Sequence, residues 1–284
     1  MTDALDAQKT ILVADDDSTT RHAISNMLRS VGYAVTAAQD GAEALAAMRQ
    51  TQFDLAFLDV WMPGLTGLEV LSKLPSGARR PKVIIMTSDS APETLLRAVR
   101  EQAYEYITKP FPPKEAIDVV RRVLDEGAAP PIEVISAQPH WVELLIPCTR
   151  SAAERIQSFL LKLESDLPED LRATIGQAFR ELLLNAVEWG GQFDPNRKVR
   201  IAQVRSPRIV MYRISDPGPG FDVEKLSHAA IGQPAGNPIG HMAVREQLGI
   251  RAGGFGILMT RELADELIYN EAHNEVIFIK YLTL

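Results

Sequence analysis

Four polar groups, each close behind a short strand-like run, carry the first chemistry in this sequence. They are Asp15-Asp16-Asp17, Asp59, Thr87-Ser88 and Lys109-Pro110, behind Ile11–Ala14, Leu55–Leu58, Val83–Met86 and Tyr104–Ile107. Carboxylates brought to one point repel one another unless a hard divalent cation sits between them, and oxygen ligands suit Mg2+. A lysine ammonium beside them can neutralise an incoming phosphoryl group, and a threonine hydroxyl can hydrogen-bond it. Taken singly, an Asp after a strand is often a turn residue or a helix cap. Four suitable residue types behind four strand-like runs point instead to one site.

The elements that must position them follow from the pattern. Strand-like runs alternate with helix-like ones: Ser18–Val31, Gly41–Gln50, Gly67–Leu74, Pro92–Glu101 and Pro113–Asp125, with Ala34–Ala38 as a further strand. Five βα units with nearly all-apolar strands predict a parallel sheet covered by helices on both faces. Ligands of such sheets bind beyond the carboxyl ends of the strands, where the acids lie.

The segments I-L-V-A-D-D-D-S-T-T-R, F-L-D-V-W-M-P-G-L-T-G, M-T-S and Y-I-T-K-P-F resemble the receiver domain of bacterial response regulators across residues 9–126. The resemblance implies that Asp59 accepts a phosphoryl group from a cognate histidine kinase. It also implies that Asp15, Asp16 and Asp59, with the backbone carbonyl of Trp61, hold Mg2+. Lys109 is then the partner of the phosphoryl group, and Thr87 and Tyr106 form the switch that responds to it. Asp17 is assigned to solvent or a helix N-terminus.

Residues 127–139, with several prolines, read as a stiff extended linker. The second domain is placed at residues 140–284, with Trp141–Ile146 as an edge strand and Ser151–Glu164 as a helix. In Phe179–Gly191, a period of about 100° per residue puts Glu181, Asn185 and Glu188 on one helix face. Phe179, Leu182, Leu183, Ala186, Val187 and Trp189 cover the other face, and Gly190-Gly191 ends the helix. The runs 199–204, 209–215, 267–270 and 276–282 are strand-like. The expected fold is an α/β sandwich with helices on one face of a mixed, largely antiparallel sheet.

Two loops here carry chemistry. Asp216-Pro-Gly-Pro-Gly-Phe221 follows a strand; Gly218 and Gly220 permit close backbone approach, and Asp216 can accept a hydrogen bond from a ligand amino group. Arg251-Ala-Gly-Gly-Phe-Gly256 opens a helix, and such a loop offers free N–H groups to phosphates.

The order E-L-L-L-N-A-V-E, D-P-G-P-G-F and R-A-G-G-F-G-I resembles the histidine-kinase-like ATPases, most closely their anti-sigma-factor serine kinase branch. The resemblance implies ATP and Mg2+ as cofactors, with Asn185 binding the Mg2+ that bridges the phosphates. Asp216 reads the adenine amino group, while Gly218, Gly220, Gly253, Gly254 and Gly256 shape the pocket. Glu181 is the general base, and residues 222–250 form the lid. The partners implied are an anti-anti-sigma-type protein, phosphorylated on Ser or Thr, and a sigma factor. The alternative is a nucleotide-gated module that sequesters such a partner without turnover. No histidine in a dimerising hairpin precedes the domain, and His140 reads as a surface residue.

Composition excludes several other classes. The 284 residues suit about two domains, 46% hydrophobic and 24% charged residues are ordinary for a soluble chain, and a net charge of −7 argues against direct nucleic-acid binding. The single Cys148 cannot form an internal disulfide. The N-terminal M-T-D-A-L-D-A-Q-K-T lacks a signal-peptide core, and no apolar run is long enough for a bilayer, so a cytoplasmic protein with no membrane partner is expected.

Overall fold

The computed structural model describes residues 8–75, 80–88, 91–125, 131–221 and 256–282. The chain divides into two compact units, Met1–Ala129 and Pro130–Leu284.

In the first unit, β1 (Thr10–Ala14), β2 (Ala34–Ala38), β3 (Leu55–Asp59), β4 (Lys82–Thr87) and β5 (Glu105–Thr108) form a parallel sheet in the order β2-β1-β3-β4-β5. Its helices are α1 (Ser18–Ser30), α2 (Gly41–Gln50), α3 (Gly67–Ser72), α4 (Pro92–Arg100) and α5 (Pro113–Asp125). Ile11–Ala14 and Leu55–Leu58 are fully buried, as a sheet covered on both faces requires. Ile24 and Leu28 of α1 and Val120 and Val123 of α5 join one core with Ile11, Val13, Phe57 and Ile84. Each such side chain contributes about 1.5–3 kcal/mol on burial.

Local capping sets the helix starts. Asp17 accepts from the N–H groups of Thr19 and Thr20 and caps α1, as assigned. The hydroxyl and N–H of Thr20, then the N–H of Thr19, hold its carboxyl below the usual range. Thr66 and Glu69 form a reciprocal capping box on α3.

The second unit is a six-stranded sheet, β10-β11-β9-β8-β7-β6, antiparallel throughout rather than mixed. Its strands are β6 (Glu133–Gln138), β7 (Trp141–Pro147), β8 (Lys198–Arg205), β9 (Ile209–Ser215), β10 (Glu266–Tyr269) and β11 (Glu275–Tyr281). The helices are α6 (Arg150–Leu163), α7 (Glu169–Asn185) and, next among the described residues, α8 (Gly256–Leu263).

Two expectations are corrected here. Residues 133–138, read as linker, are strand β6, so β7 is an interior strand and β6 is the edge. Pro139 does not interrupt pairing, because Gln138 faces Trp141 and Pro139-His140 are the turn between them. His140 is exposed there. The long helix does not end simply at its glycine pair either. It is α-helical to Asn185 and continues as a π-helical turn, Ala186–Gly190, in which the Gly191 N–H donates to the Ala186 carbonyl at 2.8 Å. The wider turn shifts the phase of the side chains. Trp189, expected on the buried face, lies in this turn and is 43% exposed.

Phe179 of α7 packs on Tyr212 of β9, with ring centroids 4.6 Å apart, and Tyr212 meets Phe278 of β11 at 6.4 Å. A buried polar group sits beside this aromatic core. Glu164, capping the C-terminus of α6, accepts from Gln203 and lies 3.2 Å from an Arg205 nitrogen in an ion pair that lacks hydrogen-bond alignment. Burial raises the Glu164 carboxyl, against the opposing pull of Arg205 and Gln203. A raised native value stabilises the fold fully below the unfolded carboxylate value of about 4.3. That contribution is lost as pH rises through the native value. Glu164→Gln, which cannot titrate, therefore gains stability relative to the native protein as pH is raised. Thermal melts of the two proteins from acid to neutral pH test this; a difference constant with pH contradicts it.

Candidate functional site

At the carboxyl end of the parallel sheet, the register brings the expected residues together. Ala14 pairs with Leu58, Asp59 with Met86 and Thr87 with Thr108, so the groups behind β1, β3, β4 and β5 share one edge. Ligand oxygens of Asp15, Asp16 and Asp59 lie within 4.8 Å of one another. Asp15 and Asp59 are buried and Asp16 is exposed. Three carboxylates at this spacing, one open to solvent, fit a hard cation that keeps several waters.

Lys109 bridges two of these acids, its Nζ 2.7 Å from Asp15 Oδ2 and 2.6 Å from Asp59 Oδ1. Burial alone lowers the lysine, but its hydrogen bonds to Asp15 and Asp59 outweigh that and hold it above the usual range. Burial raises the Asp59 carboxyl, and the Lys109 bond and charge offset only part of the rise. Asp59 Oδ2 accepts the Trp61 N–H at 3.0 Å, while the Trp61 side chain is exposed. Thr87 is fully buried, and Tyr106 is turned inward. One contributor escaped the sequence reading. Arg21 donates to the Asp15 carbonyl at 2.6 Å and the Asp16 carbonyl at 3.3 Å, holding the acidic turn from the first turns of α1. Its place within D-D-D-S-T-T-R was the available signal.

The second unit assembles a separate site. Glu181 and Asn185 stand one turn apart on α7 and face the start of α8. A Cβ on Gly256 would lie 2.6 Å from Glu181 Oε2 and 3.7 Å from Asn185 Nδ2. A larger residue at Gly256 would push into the acid, so the glycine brings the α8 N-terminus against both side chains.

Asp216 ends β9 at the other side of the π-helical turn. Its Oδ1 accepts the Gly218 N–H at 2.7 Å, which fixes the carboxylate over its own loop. Burial raises this carboxyl, against the Gly218 bond and the Arg197 charge. A Cβ on Gly190 would stand 2.1 Å from Asp216 Oδ1, and one on Gly218 would stand 2.7 Å from the same atom. Gly190 was read only as a helix terminator; the structure makes it the floor under Asp216. No local signal distinguishes those roles, because the two residues meet only after the sheet has formed. Gly220 adopts φ +82°, and a Cβ there would strike the Ala272 carbonyl. Gly253, Gly254 and the expected lid at 222–250 lie outside the described residues.

Cys148 is buried behind Gly191, and burial pushes its thiol up to about 11, so it packs there as the protonated thiol. No helix among the described residues is long and apolar enough to cross a membrane.

Comparison with known proteins agrees with this division. The family model "Response regulator receiver domain" matches residues 11–121, and "Histidine kinase-like ATPase domain" matches residues 147–280. DNA-binding response regulator MtrA of Mycolicibacterium paratuberculosis is 31% identical over 229 residues, which are 80% of this chain and 98% of that protein. The probable transcriptional regulatory protein TcrX of Mycobacterium tuberculosis is 36% identical over 115 residues, 40% of this chain and 49% of its own length. Among solved structures, a CheY-like receiver domain protein from Methanospirillum hungatei is 29% identical with a TM-score of 0.41, covering 42% of this chain and 95% of that one. DNA binding is a property named for MtrA. By its match to MtrA over nearly that protein's whole length and by the two family models, this chain belongs to the response regulators, carrying an N-terminal receiver domain and a C-terminal histidine kinase-like ATPase domain.

Proposed function

We propose that this protein is a phosphorylation-controlled regulator whose C-terminal domain binds Mg-ATP and transfers the γ-phosphoryl group to a Ser or Thr hydroxyl of a small anti-anti-sigma-type partner. A sigma factor is the competing partner, and a histidine kinase supplies the phosphoryl group for Asp59. The observation that carries the reading is the meeting of Glu181 and Asn185 with Gly256 at the start of α8. Glu181 takes the proton of the attacking hydroxyl, and Asn185 holds the cation. The N-terminus of α8 faces the phosphates, and Asp216 accepts the adenine amino group. Bound Mg2+ would neutralise phosphate oxygens, which is most of what such a transfer requires beyond positioning.

A glycine cradle supports the adenine end. The space a Cβ would fill at Gly190 and Gly218 lies against the Asp216 carboxylate. Gly190→Ala overpacks that contact and displaces the carboxylate, at a cost of about 1–3 kcal/mol in stability. ATP affinity is expected to fall about tenfold or more, since the base-reading hydrogen bond is lost. Titration calorimetry with ATP checks this; an alanine variant that binds like the native protein removes Asp216 from the nucleotide site.

Incubation with γ-labelled ATP, Mg2+ and candidate partner proteins tests the reading as a whole. Label on a partner hydroxyl supports the kinase. ATP-dependent partner binding without label supports the sequestering module instead. Absence of ATP binding refutes both.

A further inference from the structure

The Asp216 loop is held by groups outside its own sequence. The Asp216 N–H donates to the Asn274 carbonyl at 2.9 Å, and the Phe221 N–H donates to the Ala272 carbonyl at 3.2 Å. The Asn274 side chain returns the contact, its Nδ2 donating to the carbonyl of buried Gly218 at 3.0 Å. Asn274 is itself braced: its Oδ1 accepts from Asn270 Nδ2 at 2.8 Å, and Asn270 Oδ1 accepts the N–H groups of Asn274 and Glu275 at 3.1 Å. Phe221, Tyr269 and His273 close the far side as a three-ring cluster, with centroids 5.2–5.9 Å apart. On the opposite flank Arg197 donates to the Pro217 carbonyl at 2.6 Å.

These contacts have a common consequence. Pro217 and Gly218 each have their carbonyl tied to a side chain from another element, and the Gly218 N–H is the donor that aims Asp216. The peptide plane between Pro217 and Gly218 carries both the carbonyl held by Arg197 and that N–H. Turning it, or the Gly218 carbonyl that follows, would redirect the carboxylate.

We propose that the turn between β10 and β11 is the clamp that sets base selectivity, with Asn274 as the positioning residue and Asn270 as its brace. The proposal rests on the nucleotide-binding reading above and adds the residues that fix its specificity. Asn274 touches no ligand in this scheme; it acts through Gly218 on Asp216. A carboxylate aimed this way accepts from the amino group of adenine, whereas guanine presents a carbonyl oxygen at the same place.

The test uses the full chain with Asn274→Asp. This variant keeps the side-chain shape and the acceptor facing Asn270, but sets a carboxylate oxygen against the Gly218 carbonyl. Affinities for ATP and GTP are measured by calorimetry beside the melting temperature. The expected result is an ATP affinity lowered about tenfold, with a smaller change for GTP, so that the ratio of the two narrows. Asn270→Ala, at an exposed turn position, is the second variant and carries the test if Asn274→Asp does not fold. It is expected to narrow the ratio less, in the same direction. Loss of both affinities by one common factor, or no change in either, in a folded variant overturns the clamp. Native protein that binds no ATP refutes the nucleotide reading itself, a separate outcome.

Discussion

Mixed with Mg2+ and a small-molecule phosphodonor, the protein is expected to take up label at Asp59, and Asp59→Asn is expected to take up none. The carboxylate oxygen attacks phosphorus and the donor's leaving group departs, so the acid itself is consumed as the nucleophile. An asparagine amide keeps the size and loses the nucleophile. The surroundings favour the reaction at this acid. Asp59 ends β3 in the company of Asp15 and Asp16, within 4.8 Å of both. Lys109 reaches it at 2.6 Å and can follow the charge onto the incoming phosphoryl oxygens. The nearby Trp61 N–H fixes the other carboxylate oxygen at 3.0 Å. Phosphoprotein electrophoresis or intact mass gives the readout, and omission of Mg2+ is the companion control. Equal labelling of Asp59→Asn would sink the assignment.

The second large effect separates two residues that the fold places on one face of α7. Glu181→Ala is expected to keep ATP affinity while partner phosphorylation drops by roughly 10²–10⁴, the usual worth of a general base. Asn185→Ala is expected to weaken Mg2+-dependent ATP binding itself, with transfer falling as a result. The distinction follows from chemistry: a carboxylate can take a proton, whereas a neutral amide can only offer its oxygen to a cation. Both side chains face the start of α8, where a Cβ on Gly256 would lie 2.6 Å from the Glu181 carboxylate and 3.7 Å from the Asn185 amide. Calorimetry with and without Mg2+, beside a transfer assay, reads both quantities. Identical losses of binding in the two variants would count against the division of roles.

Labelling at Asp59 and ATP binding at Asn185 belong to separate compact units. ATP affinity and transfer compared with and without label at Asp59, with Asp59→Asn as the control, therefore distinguish a receiver that regulates the output from one that is merely linked to it.

Much of the receiver was legible in the sequence, because a parallel βα repeat places its strand ends by local pattern. Asp15, Asp59, Thr87 and Lys109 each follow a strand-like run, and any right-handed winding of those runs brings them to one edge. The helix face of Glu181 and Asn185 was equally legible, since 3.6 residues per turn is a local property. The tertiary structure decided what depends on meeting across the chain. Strand β6 looked like a linker because prolines flank it on both sides, and only pairing with β7 identifies it. The π-helical turn after Asn185 replaces ordinary bonds with a wider one, and Trp189 within it is exposed. Asn274 on Gly218 is set by the register of β9 against β11, with Ser215 facing Glu275, and Gly190 beneath Asp216 by the packing of the long helix and its π-helical turn on the sheet. Sequence periodicity reports the face a residue occupies, because that is fixed within one element. Which distant backbone it touches is fixed by packing between elements, and there the glycines and asparagines acquire their roles.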